Sequence, residues 1–213
     1  MDGLSSKGAV CALCLSSFGL LSLSSNASAV VISEILYDAV SADAGKVFVE
    51  LYGAPDTDLS GWSLQGINGD NGSIYKTVAL SGIIPPDGVF VVADELSGGG
   101  TNVANADLVM SVDFQNGPDS VQLFNGGTLI DAIGYGDFTG LFFAGEGQAA
   151  PDPAPGSSLA RLNPLLDTDD NSADFAVLTT PTPGIVPISS VPLPASLYLL
   201  GSGLLLLGTR RRG

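Results

Sequence analysis

Phe48-Val49-Glu50-Leu51-Tyr52 and, six residues on, Asp58-Leu59-Ser60-Gly61-Trp62-Ser63-Leu64 are the stretches that decide how this chain folds. The first is short, apolar and β-branched, and its residues alternate in part as those of a half-buried strand do. In an extended chain Val49 and Leu51 point to one face and Glu50 to the other, so Glu50 either meets solvent or pairs with a turn. The second runs through a turn-forming Ser-Gly pair into Trp62, the single tryptophan of the sequence. A lone indole opening a strand is expected in the core.

The same pattern continues outward in both directions. Extended runs are predicted over Val31–Tyr37, Lys46–Tyr52, Trp62–Ile67, Ile74–Leu80, Val89–Ala93, Asp107–Val112, Ser120–Phe124 and Thr128–Gly134, with two weaker ones at Ser158–Leu162 and Ala173–Leu178. Turn signals separate them: Asn68-Gly69, Asn71-Gly72, Pro86-Asp87-Gly88 and Asn125-Gly126-Gly127, the last predicting a hairpin. No stretch has helical periodicity. Many short strands at regular spacing imply an all-β sandwich or barrel.

Charge narrows the function. The 213 residues carry a net charge of −15, and between Val30 and Ser190 only Lys46, Lys76 and Arg161 stand against 21 acids, a balance of −18. Such a body repels phosphate backbones, so no nucleic acid is expected as a partner. There is no histidine, and both cysteines, Cys11 and Cys14, lie in an apolar N-terminal segment. His-based triads, His or Cys zinc sites and thiol nucleophiles are thereby excluded from the body. With so many acids chance carboxylate pairs are expected, and no aromatic cleft pattern accompanies them, so no enzyme activity is expected.

The two ends read as signals. Residues 1–29 form a signal peptide: Lys7, an apolar stretch from Ala9 to Leu23, then Ala27-Ser28-Ala29 as a small-x-small cleavage site for signal peptidase before Val30. The apolar stretch is short for a permanent span. At the other end, residues 185–195 are a linker closing with Val191-Pro192-Leu193-Pro194-Ala195. An apolar helix at 196–209 follows, then a basic cytoplasmic tail at 210–213 holding Arg210, Arg211 and Arg212. The arginines stay inside by the positive-inside rule, which leaves the body outside the inner membrane. This motif–helix–arginine order resembles the PEP-CTERM sorting signal in its Val-Pro-Leu-Pro-Ala variant. The resemblance implies recognition by an exosortase, removal of the helix, and release or attachment of the body at the envelope surface or outside a Gram-negative cell, in species that make exopolysaccharide.

The body has a resemblance of its own. Ser33-Glu34-Ile35-Leu36-Tyr37, Phe48-Val49-Glu50-Leu51-Tyr52 and Asp58-Leu59-Ser60-Gly61-Trp62-Ser63-Leu64 resemble the lamin-tail domain. Ile84-Pro85-Pro86-Asp87-Gly88 before Val89, Gly156–Leu162, Asp167–Phe175 and Thr180-Pro181-Thr182-Pro183-Gly184 follow in the family's order. The resemblance implies an immunoglobulin-like β-sandwich over residues 30–184, used as an accessory module of surface proteins.

One constellation could hold a metal. Asp167-x-Asp169-x-Asn171 has the spacing of the first three ligands of an EF-hand loop, and Asp174 offers a fourth oxygen. The sixth position is Ser172 rather than Gly and the twelfth Leu178 rather than Glu, so the loop is incomplete. The competing reading is turn chemistry, with Asp and Asn bending the chain before a strand. Apart from calcium at these four residues, no cofactor is expected. The expected function is a non-enzymatic surface or extracellular-matrix module processed by an exosortase, with exopolysaccharide or other surface proteins as partners. The alternative is a calcium- or carbohydrate-binding adhesion domain held permanently in the membrane.

Overall fold

The structure, a computed structural model, describes residues 30–185. The signal peptide with Ala27 and Ala29, the Val191–Ala195 motif, the 196–209 helix and Arg210–Arg212 lie outside the described residues. Among the described residues no helix is long and apolar enough to cross a membrane.

Ten strands make two sheets: β1 (Val31–Leu36), β2 (Phe48–Tyr52), β3 (Trp62–Asn68), β4 (Ile74–Ala79), β5 (Val89–Ala93), β6 (Leu108–Val109), β7 (Asp119–Asn125), β8 (Thr128–Tyr135), β9 (Ser158–Arg161) and β10 (Phe175–Leu178). The six-stranded sheet runs β10-β9-β1-β2-β5-β6 and the four-stranded one β4-β3-β7-β8. All pairings are antiparallel except β5 with β6. This is the expected all-β sandwich, of the two-sheet immunoglobulin-like kind.

The main core lies between the sheets. Ile32, Ile35, Val49, Leu51, Phe90 and Val92 from the larger sheet meet Leu64, Val121, Leu123 and Ile133 from the smaller. Trp62 belongs to this core and is 8% exposed. The hairpin at Asn125-Gly126-Gly127 forms as expected. Gly126 and Gly127 have φ of 55° and 90°, the left-handed values a two-residue turn of this hand requires.

Strand ends shift for identifiable reasons. Lys46 and Val47 donate to the Asp43 carbonyl in a turn, so β2 begins at Phe48. The expected strand over Asp107–Val112 shrinks to two residues, because the Val112 N–H is taken by the Asp94 carboxylate instead of a neighbouring strand. The start of the last predicted strand is a single helical turn, α1 (Asn171–Asp174), capped by the Asp170 side chain on the Ser172 N–H.

The larger sheet differs from a half-buried one in its outer face. Leu36, Phe48, Val89 and Val91 form a second, smaller apolar cluster there with Ala39 and Val47. β2 is therefore buried on both faces, and Glu50, 1% exposed, lies inside rather than in solvent.

Candidate functional site

The acid-rich segment 167–174 folds against Arg161, the only one of the body's three cations that is buried. Arg161 ends β9, and its guanidinium reaches under the edge of the sandwich. Nη2 lies 2.9 and 3.0 Å from the two carboxylate oxygens of Asp131 on β8, one nitrogen shared between both oxygens. Nη1 donates to Asp167 at 3.1 Å and to Asp174 at 3.0 Å. Nε donates to the Ile32 carbonyl on β1 at 3.1 Å, and the guanidinium carbon sits 4.7 Å from the centre of the Phe175 ring. The side chains of Arg161 and Asp131 are both fully buried. One arginine thus ties β1, β8, β9 and the 167–174 turn together.

The four residues expected to hold calcium are placed as follows. Asp167 touches Arg161 and is partly exposed. Asp174 is buried, with both oxygens engaged: Thr168 Oγ donates to one, Arg161 and the Thr168 N–H to the other. The Asn171 oxygen accepts from the N–H groups of Gly134 and Glu146, and its Nδ2 donates to the Ala132 carbonyl. Asp169 is exposed, with φ of 54°. The oxygens of Asp167, Asn171 and Asp174 engage the arginine, Thr168 and backbone N–H groups, while Asp169 faces solvent. Among the described residues the three acids that bring one oxygen each within 4.8 Å of one another are Asp131, Glu146 and Asp167, which share only Asp167 with the sequence set. The guanidinium of Arg161 already stands as a cation among these carboxylates.

The centre has more acid than Arg161 can neutralise. Burial, then the charges of Asp131 and Asp167, push the Glu146 carboxyl up to about 8. Its Oε2 is enclosed with no hydrogen-bond partner among the described residues. Burial also raises Asp131, against the pull of Arg161. Desolvation alone would lower Arg161, but Asp131, Asp167 and Asp174 outweigh it and hold the guanidinium charged.

A second pair of carboxylates was invisible in the sequence as a pair. Glu34 on β1 and Glu50 on β2 are directly opposite in register, and each is 1% exposed. Glu34 accepts from Ser158 Oγ at 2.6 Å and from the N–H and Oγ of Thr182 at 2.9 and 2.8 Å. Glu50 accepts from Ser33 Oγ and from the Gly184 N–H, both at 2.7 Å. Burial dominates at Glu50 and moves its carboxyl up to about 7. Side chains with near-neutral carboxyls mark reactive sites in many proteins, and structural networks produce them as well. Here both oxygens of Glu50 are engaged and covered, and Glu146 is half-buried near the Arg161 centre with one oxygen enclosed.

No curated protein matches the chain. The family model of the lamin tail domain matches residues 24–137, just over half of the 213. It ends before β9 and β10, yet β9 pairs with β1 and β10 with β9, so the sandwich is completed by the segment beyond the match. With two sheets forming the sandwich and the matched stretch spanning β1 to β8, this chain belongs to the lamin tail domain family.

Proposed function

We propose that this lamin-tail protein is exported from a Gram-negative cell, stalls in the inner membrane by its C-terminal helix, and is cut by an exosortase in or near Val191–Ala195. The product is an acidic, non-enzymatic sandwich at the envelope surface or outside, where exopolysaccharide or other surface proteins are its partners. The observation that carries this is the order of the last 23 residues: Val191-Pro192-Leu193-Pro194-Ala195, then an apolar run, then Arg210-Arg211-Arg212. Prolines such as Pro192 and Pro194 favour extended chain, since each fixes φ and disfavours helix at the residue before it. An extended backbone is what a protease-like site accepts. Moving arginines across hydrocarbon costs roughly 2.5–3.5 kcal/mol each on insertion scales, which favours a stall over full passage.

Absence of an enzyme activity is supported by the chemistry of the body, which holds no histidine or cysteine between Val30 and Ser190. Its most perturbed carboxyls are committed to an arginine centre or to chain-closing hydrogen bonds. Intact mass of the protein from a parent strain and from one lacking the exosortase tests the proposal. Loss of the helix and arginines in the parent alone is expected. Equal mass and equal fractionation in the two strains would leave the tail as a permanent anchor and overturn it.

A further inference from the structure

Glu34 and Glu50 sit side by side on the outer face of the larger sheet, and what covers them is the segment after β10. Thr182 grips Glu34 through two hydrogen bonds, Gly184 grips Glu50 through one, and Asn105 Nδ2 holds the intervening Pro183 carbonyl at 2.9 Å. Gly184 has φ of +81°, and a Cβ there would meet Asn105 at 2.5 Å, so the strap fits only with glycine at that position. Two carboxylates directly opposite on adjacent strands repel, and burying both as anions is costlier still. No cation compensates: among the described residues the ion pairs all belong to Arg161, and the further charge acting on Glu50, Asp87 in the turn before β5, is also negative.

Burial raises Glu50 against the pull of its two donors, Ser33 and the Gly184 N–H, which favour the ionised form, and the Ser33 hydroxyl can still turn to suit a proton. Ser33 Oγ, 2.7 Å from Glu50 Oε1, is a hydroxyl, which accepts a hydrogen bond as readily as it donates one. If Glu50 is protonated on Oε1, the Ser33 bond reverses direction and Oε2 still accepts from Gly184.

We propose that Thr182–Gly184 is a proton-dependent strap, docked while Glu50, buried directly opposite Glu34, carries a proton and released when Glu50 is ionised. Release lets both carboxylates hydrate. Glu50 is raised to about 7 in the docked state, against about 4.5 for a free glutamate, so docking is tightest below the lower value and weakens as pH climbs through the upper one. The strap leads straight to the linker before Val191. Docked, residues 185–190 alone separate the domain from that motif, a reach of at most about 20 Å; released back to Leu178, the reach doubles to about 40 Å. This consequence for processing rests on the sorting proposal; the strap itself does not.

Amide hydrogen exchange on the purified full-length chain tests it, read at Thr182 and Gly184 and corrected for intrinsic rates. Protection is expected to fall at least about tenfold between pH 5 and pH 8, while amides of β1 and β2 stay protected. Glu50→Gln removes the titrating group but keeps one acceptor oxygen for the Gly184 N–H, its new amide donating to the Ser33 hydroxyl, and its strap is expected to be equally protected at both pH values. Equal protection in the parent at pH 5 and pH 8, or an unchanged pH response in Glu50→Gln with β1 and β2 intact, would overturn the proposal. Neither result depends on whether an exosortase cuts the tail.

Discussion

Tyr37 and Tyr135 stack face to face, ring centres 3.9 Å apart and planes within 13° of parallel. Tyr37 follows β1 in the larger sheet and Tyr135 ends β8 in the smaller, so the pair fastens one end of the sandwich across the interface. Both rings are buried, and each hydroxyl has a partner: Tyr37 donates to Asp152 and Tyr135 to the Gln115 carbonyl, at 2.9 Å in each case. Tyr135→Ala removes a fully buried ring and should cost roughly 3–5 kcal/mol, whereas Tyr135→Phe keeps the stack and should cost only about 1 kcal/mol. Urea denaturation of the two variants measures the difference, and similar losses would mean that the stack contributes little.

Removing Arg161 leaves Asp131, Asp167 and Asp174 without their shared cation. Arg161→Met should destabilise the fold by about 3–5 kcal/mol, the range for breaking one side of a buried ion pair. The loss should be smaller in mild acid, where the orphaned carboxylates can take protons. A loss that is the same at pH 5 and pH 8 would show that packing of the side chain, not its charge, is what matters.

Asn171 replaces a missing strand at the edge of β8. Its amide accepts from Gly134 N–H and donates to the Ala132 carbonyl, both at 2.8 Å, as a backbone neighbour would. Asn171→Asp keeps the shape, loses the donor and adds a negative charge beside Glu146 and Asp131. The expected cost is at least about 2 kcal/mol, from a buried carbonyl left unpaired and an anion without a partner. A melting temperature within a degree of the parent would refute this role.

Two carboxyls with raised values make the whole domain acid-loving. Glu50 and Glu146 bind protons more tightly folded than unfolded, so their contribution is full below about 4.5 and declines as pH rises through about 7 and about 8. Stability should fall by roughly 1–3 kcal/mol between pH 5 and pH 8.5, discounted for the partial exposure of Glu146. The double variant Glu50→Gln, Glu146→Gln should flatten that slope. A slope that persists in the double variant would place the titration elsewhere.

What could be read from the residues in order was local. The strands at Phe48–Tyr52 and Trp62–Asn68 and the hairpin at Gly126-Gly127 depend on alternation and on turn residues that need positive φ, and these are properties of a few neighbouring positions. Trp62 could be placed in the core because an apolar ring that size has nowhere else to go. At Glu50 alternation assigns the face opposite Val49 and leaves solvent or a turn as its partner; the turn is what the fold supplies, but the local sequence does not say which turn covers that face. The cover comes from Gly184, 134 positions away, and Glu34 meets Thr182 across 148. The spacing of Asp167, Asp169 and Asn171 was equally plain, while the use made of it depended on Arg161 arriving on β9 and Asp131 on β8. Spacing tells which oxygens a turn can present; only the folded chain decides whether a metal, an arginine or a backbone N–H stands where they point, because burial makes each carboxylate take the nearest donor.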